Sequence, residues 1–336
     1  MMKDLMFSTS NNKKNIRVLV TGVGAIIGQG LIKSLRMLDD VYIVGLDLNP
    51  KAFGRHCCDS FYCKPDAAED SPIYQNFLLE LFERESINLV LPGIEQDIHF
   101  FDRNRCFFSD VKTKLVLNNS KLINLSKDKW LMHQALTSAG LRSIPSHIED
   151  SWELSLNALG EPPFLFKPRR GSGGRGQAII ETKKDLEYFW HKQKNNFMLQ
   201  RIIGSADEEY TVGLFGYGNG RASSPAILRR TLGPGGATWS AQTIAKDKEI
   251  ELVCDELTRL FKPIGPTNYQ FRKEAGQVWL LEINPRFSAS VSLRSALGFN
   301  EAKMAIDYYC YNVEDSATEW KSAYCERYIE DHIEYV

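Results

Sequence analysis

The period of the hydrophobic pattern changes along this chain. In the N-terminal third, apolar runs of strand length are separated by stretches with apolar residues at helical spacing. Asn15-Ile16-Arg17-Val18-Leu19-Val20 reads as a buried strand, followed by a glycine-rich turn at 21–28 and an amphipathic helix to about Leu38. Further strands are expected at 41–45, around 61–63, at 87–91 and at 114–117, with helices near 74–84 and 96–104 between them. Repeated β–α–β units of this kind build a parallel sheet with right-handed crossovers.

Beyond residue 119 strands dominate. A helix covers 126–139 and ends at Gly140. Strands at 163–168, 177–181, 197–203, 208–215 and 222–228 follow, with one helix at 183–193 among them. A helix at 246–261 precedes two apolar-rich runs that flank Glu274-Ala275-Gly276-Gln277, the signature of a β-hairpin. Helices at 291–297 and 301–311 follow, and 314–336 receives no assignment. The expected fold class is mixed: an α/β Rossmann-like N-terminal domain, then an α+β region in two lobes.

Composition narrows the class without naming a chemistry. With 336 residues, 43% hydrophobic and 25% charged, the chain reads as a soluble globular protein of two or three domains. A net charge of −1 offers no global field to nucleic acid or an anionic membrane, and neither is an expected partner. No run approaches the roughly 20 apolar residues of a membrane span, and the polar N-terminus lacks a signal-peptide core. Seven cysteines without a CxxC pair read as reduced thiols, so the expected location is the cytoplasm.

Candidate chemistry gathers in a few places, each with a plainer reading beside it. In the hairpin, alternation puts Leu280, Glu282 and Asn284 on one face, with Arg286 just past the strand and Gln270 in reach across the pair. Carboxylate and amide oxygens suit a hard cation such as Mg2+. The plainer reading is an exposed polar face. Phe166-Lys167-Pro168 ends a buried strand and runs into Gly171, Ser172, Gly173 and Gly174, whose amides can wrap an anion; the alternative is a flexible basic hairpin. Lys129 in the first turn of a helix opposes the dipole, which hints at an anionic partner or else marks a solvated side chain. Gln200, Arg201, Ile202 and Ile203 form an edge-like segment able to offer backbone groups to an adenine, with Glu209 able to accept from ribose hydroxyls. Alone, this is an ordinary strand–turn–strand. Arg229 and Arg230, placed in a second glycine-rich loop, suit a carboxylate or phosphate, or simply solvent. Finally, Gly22, Gly24 and Gly28 with Asp47 suggest a dinucleotide turn one residue longer than usual, or a scaffold that needs glycine for close packing.

In this order and at these separations, the stretches resemble the ATP-grasp superfamily, especially its carbamoyl-phosphate synthetase and biotin carboxylase branch. The carriers are Asp128-Lys129, Phe166-Lys167-Pro168 with the glycines after it, Leu199-Gln200-Arg201-Ile202-Ile203, Glu208-Glu209-Tyr210-Thr211-Val212, and Leu280-Leu281-Glu282-Ile283-Asn284-Pro285-Arg286. The resemblance implies a tail at 1–14, a preATP-grasp Rossmann-like domain at 15–118, a small lobe with a glycine-rich flap at 119–203 and a C-terminal lobe with the metal site at 204–336. It implies ATP as nucleotide, with Lys129 and Lys167 on phosphate or adenine, the loop 171–176 closing over the phosphates, 200–203 as the adenine hinge, Leu281 among the nucleotide contacts, and Glu209 on ribose. Gln270, Glu282 and Asn284 would hold Mg2+ or Mn2+, and Arg286 would face the transferring phosphoryl group. The implied activity is a carbon–nitrogen bond-forming, ADP-producing ligase joining a small carboxylate to an amine through an acyl phosphate. Arg229 and Arg230 are candidates for holding the carboxylate, and the resemblance implies a homodimer as the assembly common in the family. The alternatives are an NAD-dependent oxidoreductase built on the 22–28 turn, or a non-catalytic ATP-binding regulator.

Overall fold

The computed structural model describes residues 16–67, 71–171, 174, 176–193, 196–233, 236–314, 319–328 and 330–333. The tail at 1–14 and the calls on Ser172 and Gly173 lie outside the described residues. The first sheet is parallel and five-stranded. It contains β1 (Ile16–Thr21), β2 (Val41–Asp47), β3 (Ser60–Cys63), β4 (Leu89–Pro92) and β5 (Lys114–Leu115) in the order β3-β2-β1-β4-β5. Helices α1 (Ile26–Leu35), α2 (Pro72–Arg84) and α3 (Glu95–Arg103) cover it. Val18 and Val20 pack with residues of α1, whereas Leu19 packs with residues of α2 and α3. Covering on both faces is why β1 reads as an unbroken apolar run.

After α4 (Ser120–Ser126) and α5 (Lys129–Ser138) comes a small antiparallel sheet of β6 (Ser146–His147), β7 (Phe164–Lys167), β8 (Ala178–Ile180) and β9 (Met198–Arg201), ordered β6-β9-β7-β8. It is backed by α6 (Trp152–Leu159) and α7 (Lys183–Gln193), whose residues share a core with Phe164, Phe166 and Leu199. A larger antiparallel sheet follows: β10 (Glu209–Tyr217), β11 (Ala226–Leu232), β12 (Thr238–Ile244), β13 (Ile264–Glu274), β14 (Gln277–Asn284) and β15 (Tyr324–Glu326), ordered β14-β13-β10-β11-β12-β15. Helix α8 (Lys248–Phe261) packs beneath it, with Ile250, Cys254 and Leu257 against Tyr269, Phe271 and Leu280. Helices α9 (Val291–Ala296) and α10 (Glu301–Tyr311) return to α1, where Ser295 donates to Ser34 at 2.8 Å and Asn300 donates to the Ser34 carbonyl at 2.9 Å. The N-terminal domain is thus welded to the large sheet. No described helix is long and apolar enough to cross a membrane.

The structure corrects three expectations. The diarginine lies within strand β11 and not in a loop, so its two side chains diverge. Residues 324–326, left unassigned, add β15 to the edge of the large sheet beside β12. In the hairpin, a β-bulge breaks the alternation: Phe271 pairs with Leu280, but Gln270 pairs with Glu282. Leu280 therefore joins the core with Val278 and Ile283, while Leu281, Glu282 and Asn284 face the cleft. Bulges commonly re-aim side chains beside functional sites.

Candidate active site

The two antiparallel sheets face each other across a cleft of about 970 Å3. The small lobe contributes Leu165 and Lys167 from β7, the alternates of the buried Phe164 and Phe166. Lys167 is buried and donates to Gln200 Oε1 at 2.6 Å, and Gln200 in turn donates to Ser146 Oγ at 2.9 Å. Burial, reinforced by the positive charge of Lys129 and opposed by Glu282, brings the Lys167 ammonium down to about 8. A buried ammonium held by one neutral amide has donor capacity to spare.

Lys129 opens α5. Asp128 caps this helix through the amides of Trp130 and Leu131 and also receives a forked pair from Arg169, at 3.1 and 2.8 Å. Lys129 Nζ donates to the Gly171 carbonyl at 2.7 Å, so this lysine holds the root of the glycine loop. Gln200, Arg201, Ile202 and Ile203 line the cleft with Gly174, as does Leu281 opposite them.

The large lobe contributes two groups with different character. On β13 and β14, Gln270 stands opposite Glu282 and Asn268 opposite Asn284, all lining the cleft. Glu282 makes no hydrogen bond or ion pair among the described residues. Asn268 is buried, donates to Thr211 Oγ1 at 2.8 Å and to the Val212 carbonyl at 3.0 Å, and leaves its own Oδ1 unpaired. Among the described residues no three His, Cys, Asp or Glu side chains form a metal cluster. One carboxylate and three amides, one of them with its oxygen orphaned, fit Mg2+ held mainly by nucleotide phosphates, a cation that needs few protein ligands. Asn268 was missed from the sequence; its signal was its position two residues before Gln270 on one strand face.

The second group is already neutralised. Glu209 receives Arg230 on Oε1, at 3.2 and 2.7 Å, and Arg272 on Oε2, at 3.0 and 2.8 Å. Arg230 also donates to Gln270 Oε1 at 3.0 Å. A ribose hydroxyl would have to displace these bonds to reach Glu209. Arg229 is off the cleft: it points to the other face of β11, where it donates to Gln242 at 3.0 Å. The expectation that both arginines hold a carboxylate therefore fails at Arg229 by strand parity, and Arg230 is already engaged.

Arg286 lines the cleft, donates to the Phe287 carbonyl at 3.0 Å and approaches Glu95 of α3 at 3.8 Å. The N-terminal glycine turn is self-satisfied. The Gly24 amide donates to Asp47 at 2.8 Å, and a Cβ at Gly28 would run into the Gly22 carbonyl. These glycines serve close strand–helix packing, as the plainer reading had it.

Two sheets thus close on a buried lysine, the backbone of 200–203 and an oxygen-rich hairpin. Residues 193–332 match the family described as ATP-grasp in the biosynthetic pathway with Ter operon, and residues 18–116 match the PylC-like, N-terminal domain. Along the chain the PylC-like match thus precedes the ATP-grasp match. It is 24% identical over 285 residues to the carbamoyl phosphate synthase large chain, N-terminal section, of Aquifex aeolicus, covering 75% of this chain and 50% of that one. It is 26% identical over 176 residues to a probable alpha-L-glutamate ligase of Coxiella burnetii, covering 48% of this chain and 58% of that one. The chain thus spans about half the length of curated relatives such as these. Among solved structures, N5-carboxyaminoimidazole synthetase from Staphylococcus aureus with ADP superposes with a TM-score of 0.72 at 17% identity, over 92% of this chain and 80% of that one. The biotin carboxylase domain of Hydrogenobacter thermophilus 2-oxoglutarate carboxylase, with MgADP and bicarbonate, gives 0.70 at 16%, over 92% and 73%. These superpositions establish the fold.

Proposed function

We propose that this protein is an ATP-dependent carboxylate–amine ligase that works through an acyl phosphate. The observation that carries the reading is the meeting of Lys167, from the small lobe, with Glu282, which has no hydrogen bond or ion pair among the described residues, from the large one, across a single cleft. The names of the relatives support it: the matches include a glutamate ligase and carbamoyl phosphate synthases, and solved neighbours hold ADP or MgADP.

In this reading the triphosphate lies along Lys167 and Lys129, under the loop that begins at Gly171. The backbone of 200–203 and the side chain of Leu281 border the adenine. Gln270, Glu282 and Asn284, with Asn268 behind them, would hold Mg2+, or Mn2+ in its place. When bound, the cation neutralises charge on the transferring phosphoryl group. Arg286 faces that group from the strand end. The substrate carboxylate attacks the γ-phosphorus, giving ADP and an acyl phosphate. The amine then attacks the acyl carbon and expels phosphate. Catalysis here is positioning and charge neutralisation, and loop closure keeps water from the mixed anhydride. Glu209 acts as a strut for Arg230 and Arg272.

Phosphate release from Mg-ATP across a matrix of small acids paired with amines tests the proposal. Release that needs both partners is expected. Tight Mg-ATP binding with no release from any pair would leave a regulator. Stabilisation by NAD instead of Mg-ATP would restore the oxidoreductase. A homodimer is part of the proposal and is read by sedimentation; the biotin carboxylase domain compared above was solved as a dimer.

A further inference from the structure

A second chamber of about 380 Å3 adjoins the cleft where α3 of the N-terminal domain meets the end of β14. Glu282, Asn284 and Arg286 form its wall on the cleft side, so any molecule in it sits beside the phosphoryl-transfer centre proposed above. Its other ionisable groups come from two sides. Glu95 and His99 come from α3, and Lys127 and Arg170 come from the segments bordering the glycine loop.

Glu95 is loosely held. Its carboxylate lies 3.5 Å from His99 Nε2 and 3.8 Å from Arg286, both beyond good hydrogen-bond length, and keeps 40% of its side-chain surface exposed. The contact with His99, then the charges of Arg286 and Lys129, hold its carboxyl below the usual range against the effect of burial. It is therefore an anion at neutral pH and a weak base. On the far ring edge, His99 Nδ1 is buried without a partner. Among the described residues Lys127 meets only the neutral Asn124 side chain, at 2.8 Å, and Arg170 lies 3.4 Å from Asp128 with most of its side chain in solvent. A loosely held anion and two loosely held cations lining one small space complement a zwitterion.

We propose that this chamber binds the acceptor and that the acceptor is an α-amino acid, its ammonium on Glu95 and its carboxylate on Lys127 and Arg170. The proposal rests on the ligase reading and names its second substrate. Three ammonium protons must be accounted for in the second step. One stays on the amide nitrogen, one leaves with the phosphate as HPO4 2−, and one passes to solvent. Glu95 holds the ammonium in place and is a binding group, not the base.

The test uses the full chain with Mg-ATP and a fixed acid donor. Phosphate release is measured with each of the standard L-amino acids, with ethylamine (no carboxylate) and with L-lactate (no ammonium). At least one amino acid should work, and ethylamine and lactate should each be at least tenfold poorer in kcat/KM. Glu95→Gln should raise the amino acid's KM more than tenfold and leave that of ATP within twofold. Glu95→Asp, which keeps the charge, should recover part of the loss. Lys127→Ala should raise the KM for the amino acid but not for ethylamine. Ethylamine serving as well as any amino acid would overturn the inference while the ligase reading stands. So would an unchanged KM in a folded Glu95→Gln protein. If Glu95→Gln fails to fold, an unchanged KM in Glu95→Asp and Lys127→Ala has the same force. Absence of release with every acid–amine pair would instead overturn the ligase reading itself, and this inference with it.

Discussion

Two stretches of the same sheet face the same cleft, and they carry their carboxylates in opposite states. Around Glu209, on β10, every oxygen is committed: Arg230 and Arg272 each fork onto it, and Arg230 reaches on to Gln270. Around Glu282, on β14, the carboxylate has no partner among the described residues, and beside it Asn268 Oδ1 is buried and unpaired. Polar groups buried without partners are costly, and cores do not keep them without reason. The first region is built to stay as it is. The second is built to be completed by something positive.

That contrast can be broken most forcefully at Glu209. Glu209→Gln would strand the nearly buried Arg230, and removing one member of a buried pair costs about 3–5 kcal/mol. Chemical denaturation should show a loss of that size. If stability is unchanged, the strut assignment is wrong. Glu282→Gln should behave in the reverse way. Without nucleotide its stability should match the parent, because no ion pair among the described residues is lost, while Mg-ATP-dependent phosphate release should fall on the order of 10²–10³-fold, as when a group that stabilises transition-state charge is removed. A folded Glu282→Gln protein with full activity would erase the difference between the two regions.

A finer test uses Lys167, whose ammonium lies at about 8. The anionic triphosphate favours its charged form, so Mg-ATP affinity should weaken toward tenfold per unit as pH rises above about 8, and Lys167→Met should flatten that slope. The apo protein should show the opposite trend. The folded-state value is lowered from 10.5, so burying the charged form costs stability, and that cost is relieved as pH rises between about 8 and 10.5. The smallest effect belongs to Arg229→Ala. Solvent-facing and outside the cleft, it should shift stability by no more than about 0.5 kcal/mol and leave the KM of both ATP and the acid unchanged.

Much of this was legible in the sequence, and the exceptions have a common cause. The apolar run 16–20 and the periods after it announced the parallel sheet, because strands buried on both faces must be apolar throughout. Lys167 announced itself as a charge ending an apolar strand. The hairpin was readable from Ala275-Gly276, which adopt φ of 49° and 77°, a pair of left-handed residues suited to a tight two-residue turn. What escaped depended on register. Strict alternation put Leu280 on the face of Glu282, because nothing local reveals a bulge that the partner strand imposes. The two arginines looked alike in sequence because a loop has no parity and a strand does. Asn268 carried only its spacing from Gln270, and Glu95 was silent because its meaning comes from Arg286, distant in sequence. Strand β15 is held from outside, Arg327 donating to the Thr238 carbonyl at 2.8 Å, and its own residues carry no strong period.

The bulge between Gln270 and Phe271 has one more effect. It puts the strand out of phase with itself, so Val278, Leu280 and Ile283 answer to the core while Leu281, Glu282 and Asn284 answer only to the cleft. Replacements on the cleft side leave the hydrophobic packing intact, whereas gain or loss of one residue between 271 and 282 would exchange the two sets. Such a strand can diverge in what it recognises without losing its fold, provided changes come by substitution and never by insertion or deletion.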